Sequence, residues 1–206
     1  LSRAVVREFP GMKVSPVCGD FMSDLGILAG RPGGRLVLFL GSSIGNMTHD
    51  EAAVFLNRLR AHLSPGDYFL IGFDLRKDVD LLRRAYDDAA GVTAALNLNL
   101  LRRINDSLDG DFDLHEFRHA PRYNPDTHAM ESYLVSRIRQ RVELRQPGFV
   151  TTFDDGESIQ TESSHKYTIA QIEGMAEEAD FVVCDTPTDS RGWFALSLWR
   201  AETVGR

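Results

Sequence analysis

Apolar and polar positions alternate in two rhythms along the first half of the chain. Arg35 to Leu40 is a continuous apolar run, as a strand buried on both faces requires. Thr48, followed three residues on by Glu51, forms a capping-box signal for a helix start. Ala52, Phe55, Leu56, Leu59 and Leu63 then recur at helical spacing, and Ser64-Pro65-Gly66-Asp67 ends that helix. Tyr68 to Phe73 reads as the next buried strand, and Lys13 to Cys18 as an earlier short one ending at Gly19-Asp20. Leu1 to Phe9 reads as helix. Strand–helix–strand order predicts an α/β fold whose sheet is largely parallel, with right-handed crossovers.

The second half changes rhythm. Asp78 to Leu108 is helical with a break near Gly91, and Asp111 to Pro125 is loop-rich. From Met130 to Leu144, Met130, Leu134, Ile138, Val142 and Leu144 oppose Glu131, Arg137, Arg139, Arg141 and Glu143, predicting one long half-exposed strand. Thr168 to Ala179 is an amphipathic helix. Phe181 to Asp185 and Trp193 to Trp199 are two closing strands able to form an antiparallel pair. No internal repeat or low-complexity linker interrupts the chain.

The 206 residues carry 43% hydrophobic positions and a formal net charge of −7. That balance argues against nucleic acid as a partner, because phosphate binding needs clustered Lys and Arg. The densest basic group, Arg137, Arg139 and Arg141, reads as a solvated face. No 18-residue apolar run exists, so no membrane span is expected. Cys18 and Cys184 sit in apolar runs, where buried thiols and a reducing, cytoplasmic setting are the expectation. His115 and His119 are four apart but lack a third partner, so no metal site is expected. No Gly-x-Ser-x-Gly elbow or cysteine-nucleophile context is present. The chain begins at Leu1 rather than Met and reads as one piece of a longer protein.

Four places carry candidate chemistry. Asp20-Phe21 follows a strand end, where open α/β sheets bind ligands. An acid and an aromatic there suit an adenine amino group and its ring, though Gly-Asp is equally common in plain turns. Gly41-Ser42-Ser43-Ile44-Gly45-Asn46 follows the central strand. Its small residues admit a ligand close to the backbone. Asn46 offers a donor and an acceptor to an amino acid without adding charge. The same stretch also serves as a loop into the helix cap at Thr48. In Gln160-Thr161-Glu162-Ser163-Ser164-His165-Lys166-Tyr167, read as a polar loop, Glu162 and Ser164 lie two apart. In an extended chain their side chains point the same way, and together they could bind both nitrogens of an imidazole. The phenol of Tyr86, on a helix with Leu82, could face a site or solvent.

Several long segments together carry a resemblance. They are Leu40 to Asn46, Tyr86-Asp87-Asp88-Ala89-Ala90-Gly91-Val92-Thr93, Leu96-Asn97-Leu98-Asn99-Leu100-Leu101-Arg102-Arg103-Ile104-Asn105, and Thr161 to Tyr167. In order and spacing the chain resembles the histidine-specific methyltransferases of ergothioneine biosynthesis over nearly its whole length. The resemblance implies three methyl transfers from S-adenosylmethionine to the α-amine of L-histidine, giving hercynine. It implies an incomplete Rossmann-like class I methyltransferase sheet with an added α+β substrate-binding domain. Residues 1–77 would belong to the donor-binding domain, 78–165 mostly to the substrate domain, and 166–206 to the closing helix and hairpin. Asn46 and Tyr86 would hold the amino and carboxylate end of histidine and serve as the catalytic pair. Glu162 and Ser164 would hold the imidazole, Asp20 and Phe21 the adenine of the donor, and Gly41 would border donor and substrate.

The chain also departs from the family. The strand and glycine-rich turn that open the family's donor site are not in it. Gly30-Arg31-Pro32-Gly33-Gly34 precedes a strand and reads as a connecting turn. The first strands of the sheet should therefore be missing, leaving an apolar edge to be covered by an N-terminal segment or a second copy. Two other functions stay open: a methyltransferase for another amino acid such as tryptophan, and a non-catalytic histidine-binding or assembly domain.

Overall fold

The computed structural model describes residues 2–28 and 34–202. Of the glycine-rich stretch near residue 30, only Gly34 falls within them; 30–33 lie outside the described residues. A short helix α1 (Ser2–Glu8) comes first. The expected strand at 13–18 is irregular instead, and Val17 is exposed. It makes no hydrogen-bond ladder with any strand among the described residues.

Strand β1 (Leu36–Phe39) leads into α2 (His49–Ala61) and then β2 (Tyr68–Asp74). The predicted capping box forms: the Glu51 N–H donates to Thr48 Oγ1 at 3.2 Å, and Glu51 Oε2 accepts from the Thr48 N–H at 2.8 Å. β1 and β2 pair in parallel, from Leu36 opposite Tyr68 to Phe39 opposite Ile71. A buried carboxylate pins this junction. Asp67 accepts from the Arg35 N–H at 2.9 Å, from its guanidinium Nε at 2.8 Å and from the Ser64 N–H at 2.7 Å. Burial pushes the Asp67 carboxyl up, but these hydrogen bonds outweigh it and hold it below the usual range.

Next come α3 (Val79–Tyr86) and α4 (Val92–Leu108), with Gly91 in the left-handed region between them, as the predicted break required. Residues 111–125 are not loop-rich as expected. They hold β3 (Phe117–Asn124), which pairs antiparallel with β4 (Ala129–Ser136). The single strand expected over 130–144 is two. After β4 the chain turns a corner where the Ser136 hydroxyl donates to the Ile138 carbonyl, and β5 (Gln140–Leu144) then pairs with β6 (Phe149–Phe153). β7 (Ser158–His165) adds to β4 on its other side. This region has its own core of Leu101, Phe112, Phe117, Leu134, Val142 and Phe153.

The chain returns through α5 (Ile169–Glu178), β8 (Phe181–Asp185) and β9 (Phe194–Ala201). The closing pair is antiparallel, and β9 inserts between β2 and β8, giving the order β1-β2-β9-β8. The α/β class holds, but the sheet is mixed rather than largely parallel, because β9 runs against both neighbours. Its main core gathers Phe55, Leu59, Phe69, Phe73, Ile172, Phe181 and Trp199. On one face of β1, Leu36 and Leu38 are each 55% exposed. Cys18 and Cys184 are both exposed, not buried as expected, because neither packs into a core.

The main sheet meets the β3-β4-β7 sheet where the chain leaves β7. The Tyr167 N–H donates to the Asp74 carbonyl at 3.0 Å, and the Arg76 N–H to the Tyr167 carbonyl at 2.9 Å. The segment leaving β7 therefore runs beside the end of β2.

Candidate active site

A cleft of about 420 Å³ opens at the carboxyl ends of β1 and β2, where α/β sheets place their ligands. Gly41 and Ser42 leave β1 with φ of 81° and 60°. Ser42 Oγ accepts from the Asp74 N–H at 2.8 Å, fastening the loop to the end of β2. Ser43–Asn46 then forms one 3-10 turn. Gly45 lies against β7 so closely that a Cβ would sit 2.9 Å from the His165 carbonyl oxygen and 3.6 Å from Ser164 Oγ. Only glycine permits that approach. Tyr167, buried and with its phenol pushed up to about 12 by burial, donates to the Ile44 carbonyl at 3.2 Å and holds the turn from beneath.

Gly41, Asn46, Tyr86, Glu162 and Ser164 all line this cleft, together with Asp74 and Phe194. Glu162 and Ser164 lie on strand β7, not on a loop, so their common direction comes from the pleat of a paired strand. Tyr86 ends α3 and is half-buried. Its position is fixed from behind. His119 Nε2 lies 2.8 Å from the Tyr86 carbonyl, which only accepts, so Nε2 carries the proton. His119 Nδ1 is then free to accept from the Asn97 amide at 2.8 Å. Asp88 caps α4 through the N–H groups of Thr93 and Val92, and these hold its carboxyl at about 2. The Tyr86–Thr93 segment is thus a rigid corner that aims one phenol.

Asp20 and Phe21 are not in this cleft. They line an apolar groove of about 280 Å³ with Leu25, Val37, Phe39 and Phe55. The Phe21 ring is 52% exposed and sits 5.4 Å from Phe39 and 6.0 Å from Phe55. Asp20 Oδ1 accepts from the Met22 N–H at 2.8 Å, and its other oxygen makes no hydrogen bond to the described residues.

Lys166 escaped the sequence reading. It is 2% exposed, and its ammonium meets Tyr86 Oη at 2.8 Å, Ser164 Oγ at 2.9 Å and Asp74 Oδ2 at 2.8 Å. Asp74, also missed, pairs with Lys77 through its other oxygen. The signal was the spacing: positions 162, 164 and 166 fall on one side of an extended chain. Glu162 is exposed and takes part in no ion pair among the described residues. Beside the lysine-paired Asp74, the cleft therefore offers the Glu162 carboxylate, the hydroxyls of Tyr86 and Ser164 and the Asn46 amide, a set suited to a small zwitterion with a polar ring. Among the described residues no group of three or more His, Cys, Asp or Glu is placed to hold a metal.

Residues 1–201 match the model of a family described as histidine-specific methyltransferase, SAM-dependent. A relative named histidine N-alpha-methyltransferase, from Mycolicibacterium smegmatis, is 43% identical over 195 residues, covering 95% of this chain and 60% of its own length. The chain thus spans about 60% of that relative. An L-tryptophan methyltransferase of Psilocybe serbica is 28% identical over 80% of this chain and 46% of its own. A solved S-adenosylmethionine-dependent methyltransferase from Clostridium acetobutylicum is similar over 98% of this chain and 70% of its own, at 12% identity and a TM-score of 0.47.

Proposed function

The chain belongs to the histidine-specific, SAM-dependent methyltransferase family, and on that basis we propose that its cleft is the amino-acid site of a histidine α-N-methyltransferase. The reaction is three methyl transfers from S-adenosylmethionine to L-histidine, giving hercynine, the first step of ergothioneine biosynthesis. The carrying observation is convergence. Asn46 from the turn after β1, Tyr86 from the end of α3, and Glu162 and Ser164 from β7 line one cleft of amino-acid size.

Each residue has a role that fits its chemistry. Methyl transfer to an amine needs a neutral nitrogen held in line with the methyl group, and orientation supplies much of the rate. Asn46 orients the amine with an amide, without an ion pair that would favour ammonium. Tyr86 donates its phenol proton to the carboxylate. Glu162 accepts a ring N–H, and Ser164 meets the second ring nitrogen. S-adenosylmethionine supplies the methyl group as a sulfonium. The exposed face of Phe21 suits its adenine by stacking, with Asp20 beside it, and Gly41 leaves room between donor and amine. We assign 1–77 and 166–206 to the donor half and 78–165 mostly to the substrate half, because β3, β4 and β7 form a separate sheet.

Calorimetry of the intact natural protein against a panel of amino acids tests this. L-Histidine should bind, and Glu162→Ala should weaken it about a hundredfold, since a site that pairs a specific ring N–H depends on that pair. A preference for tryptophan, the substrate in the name of one relative, sinks the histidine reading. Histidine binding without any methyl transfer points to a binding or assembly role instead. The described residues hold no helix long and apolar enough to cross a membrane.

A further inference from the structure

We propose that Lys166 is a positioning residue that sets ring specificity: its ammonium fixes the Ser164 and Tyr86 hydroxyls as donors into the cleft. This rests on the histidine reading of the same site. An ammonium has three N–H donors and no acceptor. Lys166 has three acceptors around it, Tyr86 Oη, Ser164 Oγ and Asp74 Oδ2, at 2.8, 2.9 and 2.8 Å. Each hydroxyl oxygen must therefore accept from Lys166, and each keeps its own proton to give elsewhere. Neither proton finds an acceptor among the described residues; both hydroxyls face the cleft.

The consequence is a fixed polarity at the ring end. Glu162 as a carboxylate only accepts, and Ser164, tied to Lys166, donates. Two residues apart on β7, they form an acceptor–donor pair. A neutral imidazole is its complement, with one N–H and one bare nitrogen. An indole has the N–H but no ring acceptor, so it leaves the buried Ser164 hydroxyl unsatisfied. Without Lys166, Ser164 could turn its proton away and the distinction would relax. Tyr86 meets the carboxylate common to all amino acids, so its orientation affects both rings alike.

The test is the ratio of histidine to tryptophan affinity, measured by calorimetry on the intact natural protein. Lys166→Met should weaken both ligands but lower the ratio about tenfold, the size of one lost hydrogen bond. In a Ser164→Ala background the same replacement should leave the ratio unchanged, because the donor it acts through is gone. Lys166→Gln keeps a polar group in the buried position, guards against a folding defect, and should shift the ratio in the same direction. A ratio unchanged in both single variants, or shifts that simply add to that of Ser164→Ala, overturns the inference while the histidine reading stands. A wild-type protein without histidine preference overturns both.

Discussion

The cleft and the apolar groove are both reached from β1, and they are built in opposite ways. The groove is a surface of the main core: Phe21 leans on Phe39 and Phe55, which continue inward to Phe69. The cleft is a meeting of polar groups from distant segments, several of them held by hydrogen bonds to their neighbours. Asp74 holds Ser42, Lys166 ties Tyr86 to Ser164, and Asn97 acts on Tyr86 through His119. In the groove, shape and stability are one property. In the cleft they separate, because the groups that meet a ligand carry little of the core.

One residue from each region should show the difference most strongly. Phe55 is 3% exposed, and Phe55→Ala should cost about 3–5 kcal/mol, as large aromatic truncations in cores do. Glu162→Ala should stay within about 0.5 kcal/mol in the same denaturant unfolding experiment. Similar costs for the two would show that the cleft is part of the folding core after all. A middle case is Thr48, which caps α2 just after the Asn46 turn. Thr48→Ala should cost about 1 kcal/mol. Histidine affinity should change by less than threefold, since Ser42 and Tyr167 still hold the turn; a larger loss would place the cap within the site.

The smallest effect concerns pH. His165, 6% exposed behind the cleft, is held below its ordinary value by burial. The unfolded chain then binds a proton near pH 6.5 that the folded chain refuses. Stability from this residue is present above pH 6.5 and declines as pH falls below it. The stability difference between wild type and His165→Gln should be constant above pH 6.5 and shift against wild type as pH falls toward 5; a difference that does not change with pH would refute the assignment.

Much of the main sheet was legible because local signals and burial agree there. The Thr48 box, the apolar run into Phe39 and the Gly91 break each have a purely local cause. β3 was hidden by Pro121, which a central strand excludes but this edge strand tolerates opposite Ser132. β7 was hidden by its polarity. Ser158 to His165 holds one large apolar residue, and it is a strand because β4 pairs with it. The site residues were legible as a set through resemblance. Lys166 and Asp74 were not, since a charge that becomes buried looks in sequence like any solvated one.

Gly45 bears on the size of what the cleft accepts. The turn bearing Asn46 rests on β7 with no Cβ between them, and a Cβ at Gly45 would fall 2.9 Å from the His165 carbonyl oxygen. A methyl group there acts as a shim. Gly45→Ala would move the two ends of the site apart while leaving every group that meets a ligand unchanged. One base change could then retune the length of amino acid the cleft spans and leave its chemistry as it was. In this fold the gauge and the chemistry are separately adjustable.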